Sequence, residues 1–140
     1  MQKQQPTFHP ISKALSFLEI THGMLESSKE QLVNMENIKD KPHILNDELI
    51  NRSVKLYTSQ NEDLDLFLQQ CSLWREKELT EVQQYQVTTI EENANSLIKI
   101  NNQILDIVDK CKDSTIDKIL AKDDLELALD ALSGKITLPK

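Results

Sequence analysis

"IEENANSLIKINNQILDIVDKC", residues 90–111, is the stretch from which the fold can be read. Ile90, Leu97, Ile104 and Cys111 stand at strict seven-residue spacing, the signature of a helix packed along its length against other helices. At ~103° per residue, Gln86, Asn93, Ile100 and Ile107 fall ~50° to one side of this column, and Val87, Ala94, Asn101 and Val108 ~50° to the other. The asparagines therefore flank the column on opposite sides and do not share one pocket. A buried asparagine fixes register or oligomer state by demanding a hydrogen-bonding partner, at some cost in stability. Asn93 and Asn101 read as register-setting residues or as a wet edge of the seam. Asn61, in the seam of the preceding helix, is the candidate partner. The apolar width is complete only from Leu97 to Cys111, so the tightest core is expected there.

Working outward, glycine occurs only at 23 and 134 and proline only at 6, 10, 42 and 139. From His43 to Ser133 nothing strongly breaks a helix, which predicts long helices joined by polar turns. A first helix is expected over 11–38, with Ile11, Leu18, Leu25 and Leu32 as its column and Ala14, Thr21, Ser28 and Met35 beside it. Gly23 costs that helix about 1 kcal/mol relative to alanine and points to a close crossing or a bend. A second helix over 42–76 carries Ile50, Val54, Tyr57, Asn61, Leu64, Leu68 and Cys71 at alternating spacings of four and three. Ser59 and Glu62 have the spacing of a capping box, but the heptad phase passes through them unbroken. Thr80 and Gln83 offer a second box, placing a third helix over 80–112. Ile116, Ile119 and Leu120 begin a shorter segment; Asp123 and Glu126 cap "DLELALDAL", and Gly134 closes it.

The fold class that follows is all-α: an antiparallel bundle of three long helices plus a short carboxyl-terminal helical segment, with coiled-coil-like packing. Residues 1–10 are expected to be a mobile segment, 11–134 a single bundle domain and 135–140 a tail. Aromatics make up only 4% of the chain, so aliphatic side chains must fill the core.

No apolar run approaches the roughly 20 residues of a membrane-spanning helix, and the first residues lack the plan of a signal peptide. A soluble, cytoplasmic protein is expected. Cys71 and Cys111 lie far apart on apolar stripes and read as buried thiols. The net charge is −7; residues 1–60 carry seven basic and seven acidic side chains, and the remainder nine and sixteen. That acidic second half argues against binding nucleic acid or an anionic membrane.

Catalytic signals are poor. Glu19 and His22 reproduce the Glu-x-x-His spacing of di-metal bundles, but such a centre needs two of these motifs, and Asp40 and His43 are split by Pro42. Glu91 and Glu92 read as a charged helix surface, and His9 and His43 as isolated, exposed histidines. No cofactor, metal or small-molecule ligand is expected. Trp74 and Arg75 are favoured types at interface hot spots, although a bundle-core role suits the tryptophan better. Leu125, Leu129 and Leu132 pose the same choice, between packing on their own bundle and lying in a partner's groove.

The reading reached from the residues is a non-catalytic protein–protein interaction module: an adaptor, a secretion-chaperone-like factor or a regulatory subunit that binds a protein partner or a second copy. An acidic decoy mimicking nucleic acid is the alternative, and a carboxylate/histidine metal-bundle enzyme the third reading.

Overall fold

The computed structural model describes residues 9–121 and residue 129. Three long helices build it: α1 (Ala14–Ile38), α2 (Asp47–Arg75) and α3 (Glu81–Cys111), and no strand occurs among the described residues. Short 3-10 turns at Ile11–Lys13 and Pro42–Ile44 precede α1 and α2. The all-α bundle expected from the heptads is the fold observed.

The helix ends follow from local chemistry. Pro42 supports only the 3-10 turn, and α2 starts five residues later than the position of that proline suggests, at Asp47. Asn46 is the reason: its side chain accepts the Leu49 N–H at 2.8 Å, and Asp47 and Glu48 complement the positive end of the helix. From there α2 crosses Ser59–Glu62 without a break. Thr80 and Gln83 close a full capping box, with Thr80 Oγ1 accepting the Gln83 N–H at 3.2 Å and Gln83 Oε1 accepting the Thr80 N–H at 3.0 Å.

The order is up-down-up, so α2 runs antiparallel to its neighbours while α1 and α3 lie parallel. Contacts between Thr21 and Asn93, and between Ser28 and Asn101, mark that parallel pairing. Both α1 and α2 approach the backbone of α3 closely, whereas α1 and α2 meet each other through side chains. Side-chain size explains this difference. Ala14, Thr21 and Ser28 are fully buried on the face of α1 turned to α3, and they let the two helices come together. The Ile11–Leu18–Leu25–Leu32 column, read from the sequence as the seam, is displaced to its rim, and only Leu25 of the four is buried.

In α2 the residues at seven-residue spacing, Ile50, Tyr57, Leu64 and Cys71, are buried, while Val54 is exposed and Asn61 and Leu68 are half-buried. In α3 both Ile90–Leu97–Ile104–Cys111 and Val87–Ala94–Asn101–Val108 are buried. Full burial thus starts at Val87 and is not confined to Leu97–Cys111. Trp74, with Phe17 packed against it, supplies there the volume that α3 itself lacks. Three clusters follow one another along the bundle, around Trp74 and Ile90, around Leu64 and Leu97, and around Tyr57 and Ile104.

Gly23 takes part in neither a close crossing nor a contact: a methyl group built there meets nothing within 4 Å. After α3 the chain turns at 112–115 and becomes helical again at 116–121. This segment is fastened to the start of α2. The Ile116 N–H donates to the Leu45 carbonyl, Thr115 Oγ1 donates to Asp47 Oδ1 at 2.6 Å, and Lys118 Nζ reaches the same oxygen at 3.1 Å. No helix among the described residues is long and apolar enough to cross a membrane.

Candidate functional site

Because α1 and α2 each lean on α3, a cleft runs between them, and its two halves differ. In one half Gln31 of α1 and Leu49, Arg52, Ser53, Lys55, Leu56 and Tyr57 of α2 line an open groove of about 540 Å³. Leu49 and Leu56 stand seven residues apart on the same side of α2 and remain 43% and 51% exposed. Arg52 and Lys55 bring positive charge beside the two leucines.

The other half is filled. Phe17 stacks on Phe67 with ring centroids 5.0 Å apart and touches Trp74 at 5.3 Å. Over these rings lies residue 9. The His9 N–H donates to Gln70 Oε1 at 2.8 Å, the indole N–H of Trp74 donates to the His9 carbonyl at 2.7 Å, and the imidazole meets Phe17 edge-on. The reading of His9 as isolated and exposed is corrected: two side chains of α2 hold its main chain. Residues 1–8 of the segment expected to be mobile lie outside the described residues.

Trp74 is fully buried, and its only polar atom is engaged within the chain. Arg75 turns to α3, where its Nε donates to both carboxylate oxygens of Glu91 at 3.1 Å and its Nη2 donates to Glu91 and to Thr88. Glu91 is thus a specific inter-helix partner, whereas Glu92 is plain helix surface. Leu129 is helical and 55% exposed; Leu125 and Leu132 lie outside the described residues, as do the expected cap at Asp123 and the stop at Gly134.

Asn61, Asn101 and Asn102 form a connected layer across the bundle, and Asn93 makes a separate contact. Asn101 has no exposed surface; its Oδ1 accepts the Ser28 hydroxyl at 3.0 Å, and its Nδ2 donates to Gln60 Oε1 and Asn61 Oδ1 at 3.2 and 3.1 Å. Asn61 Nδ2 continues to Asn102 Oδ1 at 3.0 Å. One residue of α3 thereby touches both other helices. Asn93 donates to Thr21 Oγ1 at 3.3 Å, and that hydroxyl in turn donates to the Leu18 carbonyl.

No family, curated protein or solved structure matches this chain. The functional reading therefore rests on geometry. Glu19, His22 and His43 are exposed, and no group of three His, Cys, Asp or Glu side chains able to hold a metal ion occurs among the described residues. Burial pushes the Cys71 thiol up to about 12, with the nearby Glu91 carboxylate adding to the rise and Arg75 opposing it. Burial raises Cys111 as well. A thiol attacks as its thiolate, so both side chains serve as packing at neutral pH.

Sequence reasoning missed the cleft. The residues on its two sides belong to different helices, and the heptads do not say which pair of helices stands apart.

Proposed function

We propose that this chain is a non-catalytic protein–protein interaction module, an adaptor, secretion-chaperone-like factor or regulatory subunit, that receives a partner helix in the open half of the α1–α2 cleft. The observation that carries this reading is the groove itself, with two half-exposed leucines one heptad apart beside two cationic side chains. An amphipathic helix offers apolar anchors at the same spacing, and acidic flanks on it would complement Arg52 and Lys55. Covering the exposed part of each leucine contributes about 1 kcal/mol. Leu125, Leu129 and Leu132, interspersed with Asp124, Glu126 and Asp130, carry that pattern in the sequence of this same chain, which makes a second copy the first partner to test.

Light scattering on the eluting protein, set beside affinity capture by the wild type and by a Leu49→Asp/Leu56→Asp double variant, tests the proposal. The wild type is expected to self-associate or to retain a protein partner, and the double variant, with unchanged helicity, to lose it by at least roughly tenfold. A wild type that stays monomeric and retains nothing, or a double variant that behaves like it, overturns the reading.

A further inference from the structure

The filled half of the cleft carries a different chemistry, independent of whether the groove is occupied. Gln70 and Trp74 stand four residues apart on α2, so their side chains project from one helix face. Together they present an acceptor and a donor to the N–H and C=O of a single residue. This pattern reads main chain and not side chain, as a sheet edge reads an added strand. The side chain of the held residue meets Phe17 edge-on, and Phe17 in turn stacks on Phe67. One group of the site remains unsatisfied: Gln70 is 2% exposed, and its Nε2 is buried without a hydrogen-bond partner among the described residues. A buried amide donor left unpaired is costly, and a peptide carbonyl is the group that satisfies it. Residue 9 therefore fills the site incompletely.

We propose that Gln70 and Trp74 form a clamp for the main chain of an extended peptide, that His9 occupies it in cis, and that an extended segment of a partner protein bringing one further carbonyl to Gln70 Nε2 takes its place. The cis occupant competes at the high effective concentration of a tethered ligand, so the clamp opens to a partner only as His9 leaves.

The full-length chain carries its own reporter, because Trp74 is its sole tryptophan. His9→Pro removes the N–H that Gln70 accepts, whereas His9→Ala keeps the main-chain pattern. Tryptophan emission is expected to shift to the red in the proline variant and to stay in place in the alanine variant. A fluorescein-labelled peptide QQPTFHPIS, residues 4–12, is the probe in trans. Its binding, followed by polarisation, is expected to be saturable on His9→Pro, at least roughly tenfold weaker on the wild type, and lost when Gln70→Met is added. Circular dichroism and thermal unfolding establish that each variant is folded; should the double variant fail that test, the comparison of His9→Pro with wild type decides alone. A folded His9→Pro chain that leaves the emission unchanged, does not bind the peptide, or binds it no better than wild type overturns the clamp.

Discussion

Asn101 is the residue on which the bundle's register turns. It is fully buried, accepts one hydrogen bond from α1 and gives two to α2, so all three helices must be in phase for it to be satisfied. Asn101→Ala leaves a cavity and strips partners from the buried Ser28 hydroxyl, and the expected cost in a urea titration is about 2–4 kcal/mol. Replacing the layer together, Asn101→Leu with Ser28→Ala and Asn61→Leu, should restore most of that stability, because apolar groups of similar shape substitute for a satisfied polar network. A single Asn101→Ala variant as stable as wild type would show that the layer holds nothing in register. Gly23 gives the opposite case. It sits within α1 and faces open space, so Gly23→Ala should stabilise by about 0.5–1 kcal/mol and raise the melting temperature by roughly 2–5 °C, read by calorimetry. A fall in melting temperature would expose a contact the glycine makes elsewhere. The asparagines were legible in the sequence because polar residues interrupt an otherwise apolar flank. The freedom around Gly23 was not, since spacing alone does not distinguish a close crossing from open solvent.

Among the elements, the helical turn after α3 depends on the start of α2. Hydrogen bonds from Thr115 and then from Lys118 hold the Asp47 carboxyl below its ordinary value. A carboxylate depressed by folding binds fewer protons in the folded chain. It therefore adds stability that is fully present above the ordinary aspartate value of about 4 and is lost as pH falls through the lower folded value. The margin of wild type over Asp47→Asn in urea unfolding is expected to be constant from neutral pH down to about 5 and to narrow below about 4. Thr115→Val should show a weaker pH dependence than wild type, because it removes the principal donor. A margin that persists unchanged to pH 2 would dissociate the carboxylate from this fastening. The capping box at Thr80 and Gln83 could be read ahead of the structure because it is local, complete within four residues. The Asp47–Thr115 fastening could not: its partners are separated by 68 positions and neither lies on an apolar stripe. Asn46 escaped notice because Pro42 offered a nearer start signal, and the spatial cost of a proline turn is not written in the pattern.

At the scale of the molecule, α3 is the element whose backbone both other helices approach, and its centrality was not legible in heptads that all three helices possess. Small residues at Ala14, Thr21, Ser28 and Ala94 let α1 approach α3, and the large rings of Phe17, Phe67 and Trp74 keep α1 from closing on α2 in the same way. The cleft is a consequence of this asymmetry, and so is the site of the clamp, whose ligand is a main chain that carries no sequence signal. The two thiols lie at opposite ends of this arrangement, Cys71 in the cluster with Trp74 and Cys111 in the cluster with Tyr57, and can report separately on opening at each end. Both are buried, and Cys71 is pushed up to about 12, so a disulfide reagent at pH 8 reaches either thiol only through an opening of the fold. Since α3 links all three clusters, Cys71→Ser and Cys111→Ser variants, each with one remaining thiol, should label at rates within roughly tenfold of each other and with the same dependence on urea. Asp47→Asn should then accelerate labelling of both thiols to the same extent, Cys111, which stands four residues before Thr115, and Cys71 at the other end alike. Acceleration of Cys111 alone would mean that this end of the bundle opens without the rest, and acceleration of neither would mean that the last turn of α3 is held by its own packing against Met35 and Leu45.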